Sequence, residues 1–218
     1  MQRTTPRRRS GSSSQSPIVW TFQPNPKRPQ DKLTRFQRWI LQTPTRNLVA
    51  VAARRSGKTV GIRALILKTC LSTPFGKVGY VAPTLSQAKR LVWDALMRDV
   101  RAKAARHFIR SVNHAECKIE FTNGCLFMLF GAANKNSVER LRGHGFDLVV
   151  ADEADDPFFT ESVFNEIIWP ALSDQVGRLV QVGSPKGRGR LYGEFRKGQP
   201  GDELFDEQFA SIQVTEIG

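Results

Sequence analysis

The chain has 218 residues, 40% of them hydrophobic and 24% charged, with three cysteines and a formal net charge of +13. It is long enough for one α/β domain with a substantial core, and no apolar run reaches the ~18 residues of a membrane span. The polar, basic N-terminus lacks a signal-peptide segment, and Cys70, Cys117 and Cys125 have neither metal-ligand nor disulfide-framework spacing. These features exclude a membrane protein and a disulfide scaffold, and lead us to expect a cytoplasmic protein with free thiols.

Residues 1–30 carry Arg3, Arg7, Arg8, Arg9, Lys27 and Arg28 and no acid, within a Ser-, Pro- and Gln-rich stretch. Such a segment cannot bury enough apolar surface to fold, so a disordered basic tail is expected, with the folded domain occupying 31–218. The rest of the chain is basic too. An excess in both parts points to a polyanionic partner, nucleic acid above all, although a basic protein with no such partner would share the composition.

After the tail, helices and buried strands alternate. Leu33–Gln42 reads as a helix, and the apolar run Asn47–Ala52 as a buried strand. Gly57 to about Ser72 reads as a helix, and Val78–Ala82 as a second buried strand. Apolar residues then recur with helical period from Leu85 to Val100. Lys118–Phe121 and Leu126–Phe130 flank Asn123-Gly124, a strong hairpin signal. Asp147–Ala151 and Leu179–Val182 are further buried strands, with a helix expected over Val163–Leu172 despite Pro170. Short apolar runs separated by helices predict a mostly parallel sheet covered on both faces.

Two segments carry chemistry. Ala52, Ala53, Arg54, Arg55, Ser56, Gly57, Lys58 and Thr59 follow a strand and open a helix with phosphate-loop spacing, Ala52 standing where the first glycine is usual. Backbone N–H groups and the helix N-terminus there would cradle phosphate oxygens. Lys58 would meet the β- and γ-phosphates, and Thr59 would offer its hydroxyl to Mg²⁺. One of Arg54 and Arg55 is expected at the γ-phosphate; for Arg55 a solvated loop charge fits equally. The second segment, Phe146 to Asp155, ends a strand in adjacent carboxylates. Ligands of parallel sheets sit at the carboxyl ends of strands, so Asp152 is expected in the Mg²⁺ shell and Glu153 as the base that activates water. The combination predicts a P-loop NTPase that hydrolyses ATP.

Further pieces lie around these two. Phe36-Gln37 is upstream of the loop, YVAPTLSQAK runs from Tyr80 to Lys89, LRGHGFD from Leu141 to Asp147, and VGSPKGRGRLYGEF from Val182 to Phe195. In this order they resemble the ATPase domain of the large terminase subunit, the DNA-packaging motor of tailed bacteriophages, from about Leu33 onward. The resemblance implies a RecA-like (ASCE) fold, ATP and Mg²⁺ as cofactors, and translocation of double-stranded DNA into a procapsid. It implies as partners the portal protein, the small terminase subunit and further copies in a homo-oligomeric ring, a pentamer in this family, all in the host cytoplasm. Residue by residue, Gln37 matches the adenine-reading glutamine and Arg54 the loop arginine. Gly183, Ser184 and Pro185 match the coupling motif, in which Ser184 senses the γ-phosphate. Arg142 matches the arginine offered to a neighbouring subunit's ATP, and a surface ion pair is the other reading of that residue.

The chain departs from the family in having no C-terminal acidic metal cluster after Ile217, so DNA cutting by this chain is not expected. The string DEAD at Asp152–Asp155 with APT upstream also fits a first domain of a superfamily 2 helicase, but GSPKG replaces the Ser-Ala-Thr expected there. A nucleotide-dependent DNA-binding switch is the remaining alternative. His107, His114 and His144 show no metal spacing, and Trp39, Trp93 and Trp169 are expected in the core.

Overall fold

The computed structural model describes residues 33–53, 55–102, 105–184 and 187–214. The expected tail over 1–30, Arg54 and Pro185 lie outside the described residues. Helix α1 (Arg35–Gln42) begins later than its apolar pattern, because Thr34 caps it and Gln37 completes the capping box. Strand β1 (Asn47–Ala52) leads into α2 (Lys58–Ser72), and β2 (Lys77–Ala82) into α3 (Leu85–Ala88). A π-helical turn (Lys89–Trp93) carries the chain from α3 into α4 (Asp94–Arg101), so the predicted single helix has a widened turn inside it.

Strands β3 (Ile109–Asn113), β4 (Lys118–Phe121) and β5 (Leu126–Gly131) form an antiparallel meander, followed by the short α5 (Lys135–Glu139). Then come β6 (Leu148–Asp152), a second π turn (Val163–Ile168) running into α6 (Trp169–Ser173), β7 (Arg178–Gly183), α7 (Arg190–Lys197) and β8 (Phe209–Val214). Pro170 has no N–H to donate and falls where the π turn passes into α6.

The eight strands make one sheet in the order β3-β4-β5-β2-β6-β7-β1-β8. From β5 to β8 every pairing is parallel. Alternation along the strands divides the core in two. Leu48, Ala50, Val150 and Val182 face the side covered by α1, α2 and the α3–α4 helix. Val49, Val149, Ala151 and Leu179 face the side covered by α6 and α7. This is the P-loop, RecA-like arrangement of a mostly parallel sheet between two helical layers. Trp93 is buried, while Trp39 and Trp169 are partly buried against the two core layers. Among the described residues no helix is long and apolar enough to cross a membrane.

Because β7 lies between β6 and β1, the carboxyl ends of these three strands are neighbours. The register places Asp152 opposite Val182, and Val51 opposite Gly183. Everything that follows β1, β6 and β7 is therefore collected at one edge. The end of β5 sits against the start of α3: a Cβ on Gly131 would lie 2.4 Å from the Leu85 nitrogen. Backbone cannot yield to that contact cheaply, so Gly131→Ala is expected to destabilise the chain by about 1–3 kcal/mol in urea denaturation; an unchanged midpoint would refute this packing.

Candidate functional site at the ends of three strands

The loop after β1 turns sharply into α2. Ser56 N–H donates to the Ala53 carbonyl at 3.3 Å, and Ala53 N–H donates to Val214 of β8 at 2.9 Å. Arg55 (φ 66°) and Gly57 (φ 81°) take left-handed backbone. At Gly57 the left-handed backbone strains any other residue, and a Cβ there, 2.5 Å from Gln37 Nε2, would also displace the Gln37 amide. Gln37 holds this turn from α1: its Oε1 accepts from Thr34 N–H at 2.9 Å, and its Nε2 donates to the Gly57 carbonyl at 3.2 Å. Ser56 is buried, its hydroxyl without a partner among the described residues. Arg55 is exposed, and Thr59 is half-buried in the first turn of α2.

Lys58 reaches across β7. Its Nζ donates to Ser184 Oγ at 2.9 Å and stands 3.5 Å from Glu153 Oε1. The structure thus joins three sequence-predicted residues from three separate segments. Asp152 lies beneath them at the end of β6, only 4% exposed. Its Oδ2 accepts from Tyr80 Oη at 2.5 Å and its Oδ1 from Glu153 N–H at 2.9 Å. Burial pushes the Asp152 carboxyl above its ordinary range, against the Tyr80 hydrogen bond, which lowers it. Burial, with the negative charge of Asp152 beside it, pushes the Tyr80 phenol up as well. Glu153 itself has φ 53°, a left-handed conformation that costs a non-glycine residue about 1–3 kcal/mol and clusters at functional sites.

The acidic segment is also tied to α7. Ala154 N–H donates to the Val182 carbonyl at 2.9 Å, and Leu191 N–H to Asp155 Oδ1 at 3.2 Å. Arg190 donates to the Ala154 carbonyl at 3.0 Å, with its guanidinium 3.6 Å from the centre of the Phe164 ring. Sequence reasoning missed Tyr80, Asp155 and Arg190. The signal for Tyr80 was present: a phenol in an otherwise apolar buried strand needs a hydrogen-bond partner. Arg142, in contrast, is not drawn to Lys58 or Glu153. It is half-exposed and pairs with Glu139 at 2.8 Å and Glu166 at 3.6 Å.

Among the described residues no group of three or more His, Cys, Asp or Glu side chains could hold a metal. A cation here would have to take one or two protein oxygens and complete its shell with phosphate and water, which is how Mg²⁺ binds. A buried carboxylate whose charge is poorly solvated fits that demand.

The Tyr80 hydroxyl is testable through pH. The Asp152 value lies above its ordinary 3.8, so the folded chain holds the proton more tightly, and stability is lost as pH rises from 3.8 through the raised value. Removing the hydroxyl raises that value further. Tyr80→Phe should therefore cost about 1–3 kcal/mol at neutral pH in metal-free urea denaturation, and less as pH approaches 4. A pH-independent cost would contradict the assignment.

The fold is shared with solved phage terminases. The ATPase domain of the Thermus phage P74-26 large terminase superposes with TM-score 0.72 at 21% identity, over 84% of this chain and 81% of that one. The large terminase of another thermophilic bacteriophage, in complex with ADP, gives TM-score 0.64 at 20% identity, and the HK97 bacteriophage large terminase 0.66 at 16%. These two superpositions cover 84% and 85% of this chain, but only 46% and 40% of those longer proteins. No curated protein matches it. Residues 49–163, more than half of the chain, match the family described as terminase large subunit, T4likevirus-type, N-terminal. The chain belongs to that family of terminase large subunits.

Proposed function

We propose that this domain is the ATP-hydrolysing motor of viral DNA packaging. The observation that carries the reading is the convergence of Lys58, Glu153 and Ser184 over buried Asp152, at the carboxyl ends of three adjacent parallel strands. Family membership favours it over a superfamily 2 helicase domain, and the large terminase from a thermophilic bacteriophage is known in complexes with ADP and with ATP-gamma-S.

The loop from Ala52 to Thr59 would bind the triphosphate, its helix N-terminus supplying donors and positive potential. Lys58 would exchange its contacts with Ser184 and Glu153 for phosphate oxygens. Gln37 spends one amide hydrogen on Gly57 and retains a second that an adenine nitrogen could accept. Asp152 and the Thr59 hydroxyl would hold Mg²⁺, which when bound offsets the charge on the phosphates. Glu153, released from Lys58, would take the proton of the attacking water. Ser184 loses its lysine partner when phosphate arrives and regains it when phosphate leaves, which would report the nucleotide state to the segment after β7. Arg54 would add charge at the γ-phosphate. Arg142 would serve a neighbouring subunit's ATP after leaving Glu139 and Glu166. Double-stranded DNA, the portal protein of a procapsid, the small terminase subunit and a homo-oligomeric, pentameric ring in the host cytoplasm complete the reading.

Glu153→Gln should retain ATP affinity and lose turnover by at least about 100-fold, the contribution expected of a general base. Turnover equal to wild type would remove Glu153 from the chemistry. The DNA part is tested at the N-terminus. Deleting residues 1–30 removes six positive charges, so DNA affinity should fall and its salt dependence flatten, by up to roughly 0.9 in log–log slope per lost phosphate contact. Unchanged affinity across a salt titration would assign the tail elsewhere.

A further inference from the structure

A cavity of about 390 Å³ opens beside Glu153. Pro83, Gln87, Arg90 and Leu91 wall it on one side, and Glu153, Asp156 and Ser184 on the other. Arg90 is exposed and, among the described residues, has neither a hydrogen-bond nor an ion-pair partner. Other arginines of the domain are committed: Arg63 to Asp99, Arg110 to Glu120, Arg196 to Asp202.

The backbone that carries Arg90 is built to hold it there. Thr84 and Gln87 form a capping box at the start of α3, fixing the helix one turn earlier. The chain then widens into the π turn, in which Asp94 N–H donates to Lys89. Val92 and Trp93 of the same turn are buried, anchoring it from beneath. Single π turns inside α-helices are frequent at functional sites.

Charge decides what the cavity suits. Lys58 contacts two of the lining residues, Ser184 and Glu153. Arg90 lines the cavity from the π turn together with the Glu153 and Asp156 carboxylates, with Lys58 one contact behind. The carboxylates repel any anion in the cavity, so one that enters is not retained. A small anion leaving Lys58 would instead pass them and meet a guanidinium whose planar donors match phosphate oxygens. The adenine end of the loop, at Gln37, lies on a different element.

We propose that Arg90 receives inorganic phosphate after ATP is cleaved, and that this cavity is its exit port. The proposal rests on the ATPase reading above. No bond to phosphate is made or broken at Arg90; its N–H groups donate to phosphate oxygens and release them to solvent.

The test is inhibition of ATP hydrolysis by its two products, measured in wild type, Arg90→Ala and Arg90→Lys. The inhibition constant for inorganic phosphate should rise at least about tenfold in Arg90→Ala, the loss of charge-assisted hydrogen bonds, and less in Arg90→Lys, while that for ADP stays the same. Calorimetric titration of inorganic phosphate into ADP-saturated protein answers the question for a variant too slow to assay. An unchanged phosphate constant in Arg90→Ala overturns the proposal, as does a wild type that phosphate does not inhibit. Equal weakening of phosphate and ADP binding with a lowered melting temperature overturns it too, because Arg90 is then structural. Lys58→Ala separates the two levels: if it hydrolyses ATP like wild type, the ATPase reading itself fails, whereas an inactive Lys58→Ala beside an unaffected Arg90→Ala removes only the exit port.

Discussion

One ammonium group links the three loops that make the site. Lys58 Nζ, at the start of α2 after the β1 loop, donates to Ser184 after β7 and pairs with Glu153 after β6. The Lys58 side chain is only 11% exposed, so solvent and salt screen these contacts less than they would on the surface. With β7 between β6 and β1, the carboxyl ends of all three strands are close enough for one lysine to reach both residues. The same contacts are ones that a triphosphate would compete for. Binding, the freeing of a carboxylate base and the signalling of nucleotide state can therefore be a single exchange at one nitrogen.

Beneath that nitrogen the structure accepts two local costs. Asp152 keeps a carboxylate in an apolar strand layer, and a left-handed Glu153 turns the chain immediately after it. The Tyr80 hydroxyl and the Glu153 N–H offset part of the first cost, and a bound cation would offset more. The turn at Glu153 directs consecutive residues to different tasks: Asp152 inward to Tyr80, Glu153 toward Lys58, Asp155 to the start of α7. Arg190, stacked on Phe164 and bonded to Ala154, closes the segment from the other face of the sheet. The segment after Glu153 is thus hydrogen-bonded to α7, the helix packed on β8 and β1.

Much of this was legible in the residues. Strand β1 matches its apolar run, and the hairpin at Asn123-Gly124 forms β4 and β5 where the turn chemistry placed it. Lys58, Asp152 and Glu153 could be named because phosphate-loop spacing and an acidic strand end are local patterns, whereas Ser184 was named only through the family resemblance. What escaped was non-local. Strands β3 and β8 lie at the two sheet edges, with polar or half-exposed residues that give no buried run. Helix α5 has five residues, too few for a period to show. The π turns leave the apolar spacing almost helical, so the sequence pattern cannot separate them from an ordinary helix. Tyr80 and Arg190 act through partners more than thirty positions away in the chain. Gln37 was placed at the nucleotide by resemblance, and its contact with the Gly57 carbonyl depends on how closely α1 packs on the loop, which spacing alone does not reveal.

The central claim is that Lys58 exchanges Ser184 and Glu153 for phosphate. The most direct measurement is a crystal structure of the chain with Mg²⁺ and a non-hydrolysable ATP analogue. The account predicts Lys58 Nζ within hydrogen-bond distance of a β- or γ-phosphate oxygen, Ser184 and Glu153 released from it, and Asp152 facing the metal. A triphosphate bound with Lys58 still on Ser184, or bound away from the loop between β1 and α2, would contradict it.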